Sequence, residues 1–488
     1  MTASQPSETP PPLERLRGMH DVDPQSLRRR RTVLRRIFHI LERHGYEAIE
    51  TPILESTELF LRKSGPERIA QLYAFTFRNR EIALRPEHTA SVLRYYVENR
   101  QHEPLPLRLA YAGPVFRYER PQANRTRQFT EVGCELLGAP GASGDAEVIH
   151  LAAEIVQAFG IAPRIVIGHV GIVLDYLQRL PLRQRARDWL LWSMERLRKG
   201  QRVDLDAELP LLTGSPQVAR LTQELHERLQ PLTAEELERL VLALLHEVGM
   251  QTTNSSRSPD EIVRGVLAKL ARSADTDALR RGFDFVRELA SMQGPPDRVV
   301  SDLRTLIARY GLDLTPLQQI DHLLELLSAY GIGTQEVVLS PGMARGLHYY
   351  TGILFEVYPR HDPSLQLCGG GRYDDLAQLL GARAPLPACG FACGLERIAE
   401  LAALPGDTPP ARILVAAAEP AAMPHAERLA ERLRAQGAIV ELDVRQRSLT
   451  ANRRYARRRG ILEMFVVEAS GTYHRMTLRS PEEADRDD

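Results

Sequence analysis

Three short arginine-centred segments, kept apart by a long helix-rich stretch, place the strongest constraint on how this chain folds. Residues 116–122 read FRYERPQ, residues 344–352 read ARGLHYYTG and residues 390–397 read GFACGLER. Each sets an arginine beside glycine or at the end of an apolar run, and a guanidinium group can bind two phosphate oxygens at once. A single arginine of this kind is more often a structural salt bridge. Three of them together favour one anion-binding site, assembled from distant parts of the chain.

Acidic and phenolic side chains complete the chemistry that these arginines suggest. When ATP activates an amino acid, the carboxylate attacks the α-phosphorus and charge grows on the phosphate oxygens, where fixed cations stabilise it. The cations here would be Arg117, Arg345 and Arg397. An amino-acid ligand also needs acceptors for its ammonium group and for any side-chain N–H. The candidate acceptors are Glu87, Glu131, Glu135, Tyr349 and Tyr350.

Length and composition predict a cytoplasmic, globular protein of two or three domains. The chain has 488 residues, of which 43% are hydrophobic and 26% are charged, and this length exceeds what one compact core usually holds. The 63 basic and 63 acidic residues cancel, so no overall basic field announces a nucleic-acid partner. There is no apolar run of about 18 residues, which predicts that the chain does not cross a membrane.

The cysteines predict neither disulfides nor a metal. Only four occur, which is typical of a protein in a reducing compartment. Cys389 and Cys393 lie four residues apart in an apolar, strand-like run, but no second pair of cysteine or histidine ligands follows nearby. Because a structural zinc site needs such a second pair, we predict packed core thiols and no metal site.

The first clear element is an amphipathic helix over residues 24–44. Val33 and Ile37 lie on one apolar stripe, and Gly45 is a suitable helix stop. The arginines at 28–31 lie towards the opposite face. They could form a nucleic-acid patch, but a solvated helix face is the simpler interpretation.

Helix signals concentrate in the middle of the chain, and strand-like runs lie on both sides of it. A capping box at Thr233 and Glu236 and a start at Thr315 are typical of helices. After a proline-rich linker, short strands alternate with helices, which indicates a small α/β unit with a largely parallel sheet. The predicted divisions are a disordered tail at 1–13, a core at 14–168 and 336–403, a helical insertion at 169–335, a linker at 404–411, a small α/β domain at 412–478 and an acidic tail at 479–488.

The glycine-rich run at 368–374, CGGGRYD, has two interpretations. It could form a tight turn between strands, since glycine adopts conformations that other residues avoid. It could instead let a ligand approach the backbone closely. The functional interpretation would bring this run to the same site as the arginines.

These segments resemble the motifs of class II aminoacyl-tRNA synthetases. Residues 116–119 are similar to motif 2, residues 394–397 to motif 3, and the helix at 24–44 with Thr51 and Pro52 to motif 1. The resemblance implies a mixed α/β core on an antiparallel sheet, with the helical insertion and the small C-terminal α/β domain attached to it. It also implies a homodimeric core, because motif 1 forms the dimer interface in that class.

Within the class, the chain most resembles the histidyl-tRNA synthetases and their relatives. Residues 345–350 and 368–374 are similar to two histidine-specific segments of that group. The C-terminal unit resembles an anticodon-binding domain that lacks its closing helix. The resemblance covers about 15–165 and 335–405 and, more loosely, 411–475.

The resemblance implies a role for each matching residue. Arg117 would bind the α-phosphate of ATP and Arg397 the γ-phosphate, with Arg345 as the catalytic cation. Glu119 would lie near the adenine or its metal, so an active enzyme would use ATP and magnesium. The implied histidine pocket consists of Glu87, Thr89, Glu131, Glu135, Arg345, Tyr349 and Tyr350.

Two groups of proteins share this core. Histidyl-tRNA synthetases charge tRNA with histidine. The regulatory subunits of ATP phosphoribosyltransferase sense histidine at the first step of histidine biosynthesis and do not charge tRNA. Residues 165–172, IVIGHVGI, resemble the regulatory subunits, Glu131 stands where synthetases usually carry glutamine, and His88 stands where they often carry glycine. These departures favour a histidine-binding regulatory subunit that pairs with a short catalytic subunit.

Other features favour the alternative, a histidine–tRNA ligase. All three motif arginines are intact, whereas regulatory subunits often lose some of them. Arg453, Arg454 and the arginines at 457–459 form a basic cluster that could contact tRNA phosphates, although a solvated helix face explains it equally well. L-histidine is the expected ligand in both cases. The catalytic phosphoribosyltransferase subunit is the expected partner in the first case and tRNA in the second.

Overall fold

The computed structural model describes residues 13–62, 71–118, 126–213, 276–344, 350–404 and 411–478. The chain forms two compact units, Met1–Ala403 and Leu404–Asp488, and each is described by itself. Within the described ranges, no helix is both long enough and apolar enough to span a bilayer.

The first unit combines eleven named strands with a larger set of helices in its described ranges. The strands are β1 (Glu47–Ala48), β2 (Leu54–Ser56), β3 (Ala74–Phe77), β4 (Arg80–Leu84), β5 (Leu107–Phe116), β6 (Gln128–Leu137), β7 (Pro163–His169), β8 (Val337–Leu339), β9 (Ile353–Pro359), β10 (Cys368–Arg372) and β11 (Ala388–Gly394). The helices are α1 (Pro24–Arg43), α2 (Thr57–Leu61), α3 (Thr89–Tyr95), α4 (Ala142–Gln157), α5 (Val170–Arg179), α6 (Gln184–Arg198), α7 (Leu205–Thr213), α8 (Thr276–Ser291), α9 (Pro296–Tyr310), α10 (Thr315–Ala329), α11 (Leu376–Leu379) and α12 (Leu395–Leu401).

The central sheet brings distant segments of the chain side by side. Its eight strands lie in the order β1-β5-β6-β11-β10-β9-β7-β8, and a smaller sheet has the order β2-β4-β3. In the central sheet β1 pairs with β5, and β7 with β8, in parallel, while the other neighbours are antiparallel. The described helices α5 to α10 all lie between β7 and β8 in sequence. The mostly antiparallel, mixed α/β architecture predicted from the sequence is confirmed.

Helix α1 begins and ends where its residues dictate. Asp23 accepts hydrogen bonds from the first backbone N–H groups, and Pro24 suits the first turn. Val33 and Ile37 are fully buried on its inner face. Gly45 follows the helix with a φ of 79°, a conformation that glycine adopts without strain. The predicted helix is confirmed to within a residue of its end.

Two arginines of α1 contact another helix and do not form the solvated face that was predicted for them. Arg29 donates through its guanidinium to the carbonyl oxygens of Ala399 and Ala402, at and just beyond the end of α12. The guanidinium of Arg30 lies 3.0 Å from the carboxylate of Glu396 in the same helix. Arg30 therefore binds the third arginine-centred segment and Arg29 binds the residues that follow it, because α1 packs against α12.

The glycine-rich run forms strand β10, so the interpretation of a tight turn is wrong. Gly370 pairs with Phe355 of β9 and with Phe391 of β11. A Cβ atom at this position would collide with the carbonyl oxygen of Gly390. Glycine is needed here for the close approach of the neighbouring strand rather than for turn geometry.

Cys368 and Cys393 form a disulfide, which contradicts the predicted packed thiol at Cys393. The sheet register places them opposite one another on β10 and β11, with Cα atoms 4.0 Å apart. Sequence spacing did not reveal this pair, because the two residues are 25 positions apart. Cys134 and Cys389 are free and buried, as predicted for Cys389.

The second unit is a small α/β unit. Its strands and helices are β12 (Arg412–Ala417), α13 (Met423–Ala435), β13 (Ile439–Leu442), α14 (Leu449–Arg458), β14 (Glu463–Val467) and β15 (Tyr473–Thr477). The sheet order is β13-β12-β14-β15, with β13, β12 and β14 parallel and β15 antiparallel. The largely parallel sheet was predicted from the alternation of strands and helices. Strand β15 was not predicted, because its exposed, polar residues lack an apolar pattern.

His169 ends β7 and caps the helix that follows. Its Nδ1 atom accepts a hydrogen bond of 3.0 Å from the backbone N–H of Gly171, and its Nε2 atom lies 2.6 Å from Oε1 of Gln319 in α10. Burial lowers the pKa of His169 to about 4. The imidazole is therefore neutral at pH 7, with Nδ1 as acceptor and the Nε2 hydrogen donated to Gln319.

We predict that His169 makes the folded chain less stable as the pH falls from about 6.5 to about 4. Over this range the unfolded chain protonates His169 while the folded chain does not, so acid favours unfolding by up to about 3 kcal/mol. His169→Asn keeps an acceptor for the helix N-terminus but cannot titrate. In urea unfolding followed by circular dichroism, the variant should lose stability less steeply with acid than the wild type. Equal slopes would contradict the assignment.

Candidate functional site

A cavity of about 120 Å³ opens on one face of the central sheet. Strands β6, β9, β10 and β11, the start of α3 and the residue just beyond β5 all contribute to its wall. Of the residues predicted to form a site, five line this cavity: Glu87, Thr89, Arg117, Glu131 and Tyr350. The structure thus brings together side chains from widely separated segments. Three further polar side chains line the cavity, namely Glu356, Gln366 and Tyr373.

Glycines keep this face of the sheet open. Directly paired residues of antiparallel strands point to the same side of a sheet. Glu135 pairs with Gly390, and Tyr111 pairs with Gly133. A Cβ atom on Gly390 would collide with the Glu135 carboxylate, and one on Gly133 would collide with the carbonyl oxygen of Phe391. The missing side chains leave room for the Glu135 carboxyl group and for the close approach of β11 to β6.

The carboxyl group of Glu135 is buried beneath the cavity and accepts hydrogen bonds from three hydroxyl groups. Thr89 donates at 2.7 Å, Tyr111 at 3.0 Å, and the hydroxyl of Tyr373 donates as well. Burial raises the pKa of Glu135 to about 8, although the three hydroxyls act in the opposite direction. The carboxyl group is therefore mostly protonated at pH 7, and a cation brought into the cavity would favour its ionised form.

Tyr373 and Tyr111 are site candidates that the sequence did not reveal. Burial raises the pKa of both phenols well above its usual value, so both remain hydrogen-bond donors. Tyr373 ends the glycine-rich run, which was a signal for it. Nothing in the sequence marks Tyr111, which is one residue of an apolar strand until the register sets it beside Glu135.

Arg117 lies on the cavity wall and binds two acceptors. Its Nε atom donates to the carbonyl oxygen of Pro86 at 2.8 Å, and its terminal NH2 group forms an ion pair with Glu131. Its guanidinium also lies over the ring of Phe129, 5.0 Å from the ring centroid. These contacts fix the plane and direction of the cation.

His88 lies next to the same carboxylate. Its Nδ1 atom is 3.5 Å from Oε2 of Glu131, and its ring stacks on Tyr111 with centroids 4.5 Å apart. The side chain is 1% exposed, and its Nε2 atom has no hydrogen-bond partner among the described residues. The two positions that depart from the usual synthetase pattern are thus in contact with each other.

Arg397 does not line the cavity but is bonded to a residue that does. Its NH1 atom donates to the carbonyl oxygen of Gln366 at 2.7 Å, and Gln366 lines the cavity. Three other predicted site residues, Glu119, Arg345 and Tyr349, lie outside the described residues. Their places in the site remain predictions.

Helix α6 of the insertion reaches the segment that precedes Arg345. Glu195 accepts a hydrogen bond of 3.2 Å from the backbone N–H of Ala344 and pairs with Arg198 at 2.7 Å. Burial would raise the pKa of Glu195, but the hydrogen bond and charge of Arg198, with the charge of Lys199, hold it below its usual value. Arg198 also lies 3.6 Å from Glu356 on the cavity wall. Helix α6 therefore supports the site through charged groups.

A cluster outside the cavity has the spacing of cation ligands. Ring nitrogens of His44 and His150 and a carboxylate oxygen of Glu154 all lie within 4.8 Å of one another. Nε2 of His44 lies 2.9 Å from Oε2 of Glu154, and Nε2 of His150 lies 3.6 Å from the same atom. Arg43 pairs with the other oxygen at 2.8 Å. These bonds already satisfy the carboxylate, so the cluster is accounted for as a link between the end of α1 and helix α4.

Sequence comparison places this site among known proteins. A family model described as histidyl-tRNA synthetase matches residues 18–237 and 236–398. The chain is 29% identical to the histidine–tRNA ligase of Methanocaldococcus jannaschii over 457 residues, which covers 93% of this chain and 92% of that protein. It is 30% identical to the histidine–tRNA ligase of Thermococcus kodakarensis over 388 residues, covering 79% and 73%. The similarity therefore extends far beyond the three arginine-centred segments.

Solved structures share the fold. A protein from Bacillus halodurans, described as an ATP phosphoribosyltransferase regulatory subunit/histidyl-tRNA synthetase, superposes with a TM-score of 0.64 at 22% identity, covering 94% of this chain and 99% of that one. Histidyl-tRNA synthetase from S. aureus gives a TM-score of 0.59 at 22% identity, covering 95% and 97%. These likenesses confirm the class II synthetase-like fold predicted from the motifs.

We predict that Tyr373→Phe raises the pKa of Glu135 above its value of about 8. The substitution removes a hydroxyl that donates to the ionised carboxylate, and one such hydrogen bond is worth about one pKa unit. Carbon NMR titration of protein with labelled glutamate measures the midpoint, and Glu135→Gln identifies the signal. As a control, Tyr95→Phe alters a hydroxyl that contacts Arg100 and should leave the midpoint unchanged. An unshifted midpoint in Tyr373→Phe would contradict the hydrogen-bond network.

Proposed function

Because the chain belongs to the histidyl-tRNA synthetase family, we propose that it is a histidine–tRNA ligase, which joins histidine to tRNA using ATP. One observation carries the proposal. Arg117 and the carboxylates of Glu87 and Glu131 line the same cavity. The chain that holds this cavity matches such ligases over most of its length. Activation joins an ammonium-bearing amino acid to a phosphate of ATP, and this lining offers carboxylates for the ammonium group and a guanidinium for the phosphate.

The floor of the cavity supplies the groups that an imidazole requires. An imidazole N–H needs an acceptor, and Glu135 with its bound hydroxyls lies next to Gly390, which lines the cavity. Tyr350 lies on the wall of the same cavity. Sites that hold a polar side chain through buried partners reject similar molecules that lack the polar group, because those partners would then be left unpaired. This gives the proposed site its preference for histidine.

The proposed activation step uses the arginines as fixed cations. The histidine carboxylate attacks the α-phosphorus of ATP, pyrophosphate leaves, and the histidyl group then passes from the adenylate to a tRNA hydroxyl with release of AMP. In this scheme Arg117 binds the α-phosphate, Arg397 binds the γ-phosphate and Arg345 stabilises the charge that grows between them. Glu119 would lie near the adenine or the magnesium that accompanies ATP.

A regulatory subunit of ATP phosphoribosyltransferase, the function first favoured by the sequence, is the second candidate. The ion pair between Arg117 and Glu131 favours it, because this pair engages the arginine that activation needs. Such a subunit would bind histidine, associate with a short catalytic subunit and charge no tRNA. A homodimeric core built through α1 and β1 is proposed under both functions.

Pyrophosphate exchange tests the proposed activity. The purified chain should exchange labelled pyrophosphate into ATP only when histidine is present, and it should charge a histidine tRNA transcript. Arg397→Ala should slow the exchange by roughly tenfold or more and Arg345→Ala should abolish it, because each removes charge that stabilises the transition state. Arg298→Ala, at a side chain that is 76% exposed, is the matched control. No exchange from a preparation that binds histidine would overturn the ligase proposal and turn attention to the phosphoribosyltransferase partner.

Histidine binding tests the pocket under either function. Glu135→Ala and Tyr350→Ala should each weaken histidine binding by roughly tenfold or more, because a buried polar group of the ligand would lose its partner. Isothermal titration calorimetry measures the affinity directly. Glu400→Ala removes an exposed carboxylate and should leave the affinity at its wild-type value. Wild-type affinity in both pocket variants would rule out this pocket.

A further inference from the structure

Two side chains that the proposed reaction needs separately are bound to each other in this structure. Oε1 of Glu131 pairs with the terminal NH2 group of Arg117, and Oε2 lies 3.5 Å from Nδ1 of His88. The exposed fractions of the Glu131 residue and the Arg117 side chain are 6% and 18%. Because they are shielded from water, their attraction is stronger than that of a surface pair. Opening this pair requires a new partner for each charge.

The contacts of Arg117 show why the pair matters for a phosphate ligand. A guanidinium binds two oxygens through one of two edges, and both edges include the terminal nitrogen NH2. That nitrogen is the one bound to Glu131. The Nε atom donates to the carbonyl oxygen of Pro86. The NH2 nitrogen carries one N–H on each edge, so the bond to Glu131 uses one of them directly, and the negative carboxylate opposes a phosphate at the other. Two-oxygen binding of a phosphate by Arg117 is therefore favoured once Glu131 has moved or changed partner.

We propose that Glu131 gates Arg117. Glu131 holds the guanidinium until the ammonium group of an incoming amino acid draws Glu131 away from it and frees Arg117 for a phosphate. This inference rests on the proposed histidine- and ATP-binding function of the same site. Amino acid and nucleotide then bind in a preferred order, with the amino acid first.

The exchange of partners keeps every charge paired. The substrate ammonium carries the same charge as the guanidinium that it replaces beside Glu131, and the phosphate then replaces Glu131 beside Arg117. His88 contacts the other oxygen of Glu131 and is fixed by stacking on Tyr111, so the carboxylate stays at the cavity while its partner changes. Glutamine at this position would be neutral and would hold Arg117 only weakly. Glutamate in place of the usual glutamine at position 131 thus couples the binding of the amino acid to the binding of the nucleotide.

Ligand fragments test the gate in the wild-type chain. A non-hydrolysable ATP analogue is titrated calorimetrically into the full chain alone, and then in the presence of saturating histidine, histamine or imidazolepropionate. Histamine keeps the ammonium group and lacks the carboxylate. Imidazolepropionate keeps the carboxylate and lacks the ammonium group. Histamine should tighten nucleotide binding by about tenfold, a usual size for coupling between sites, and imidazolepropionate should not. Equal effects of the two fragments, or no effect of histamine, would overturn the proposal.

Glu131→Gln tests the same point by substitution. Without any amino acid, this variant should bind the nucleotide analogue at least about fivefold more tightly than the wild type, and histamine should add little further. The matched control is Glu147→Gln, which neutralises a carboxylate that is also ion-paired with an arginine, Arg108 at 2.8 Å, and that does not line the cavity. The control should keep the wild-type coupling. Wild-type coupling in Glu131→Gln would contradict the gate.

These outcomes separate the gate from the proposed ligase activity. Coupled binding without pyrophosphate exchange would support the gate and overturn the ligase. Exchange together with uncoupled binding would overturn the gate alone. A chain that binds histidine but no nucleotide, with or without histamine, would contradict both.

Discussion

The open face of the central sheet is the constraint on which the candidate site depends. At Gly133 and Gly390 a single Cβ atom would strike the neighbouring strand or the Glu135 carboxylate, so β6 and β11 can pack this closely around Glu135 only while these residues lack side chains. This packing leaves Glu135 within reach of hydroxyls from α3, β5 and the residue that follows β10. Burying a carboxyl group is costly, and this one is accommodated by hydrogen bonds and by remaining largely protonated.

Two glutamates on the same strand acquire different roles from their neighbours. Glu135 has hydroxyl partners, and burial raises its pKa, whereas Glu131 has the permanent cation of Arg117 beside it. Glu135, held by hydroxyls, can bind a polar, near-neutral ring. Glu131, held by a cation, can exchange that cation for another one. The same chemistry that could admit an amino acid also restrains the arginine that activation would use, which is why the ligase and the sensor remain close competitors.

The sequence predicted the architecture well and the partners of the charged groups poorly. Helix α1, the helix at Thr315–Ala329 and strands β12, β13 and β14 follow from apolar period and capping residues, which are local signals. The motifs also placed Glu87, Thr89, Arg117 and Glu131 at one cavity. Sheet register decides the disulfide between Cys368 and Cys393, and the packing of α1 on α12 decides the contacts of Arg29. No local pattern encodes either, because each joins residues that are distant in the chain.

The strand order has a consequence for how the chain is made. Strand β6 pairs with β5 immediately but meets its other neighbour, β11, only after the whole insertion and strands β7 to β10 have been synthesised. At usual translation speeds of about 5–20 residues per second, that delay lasts on the order of tens of seconds. Throughout this time the nascent sheet carries an unpaired edge of backbone N–H and carbonyl groups, the kind of edge that recruits other chains. The strand that supplies Glu131 and Glu135 is thus also one that waits for its second neighbour while more than half of the first unit is still being made.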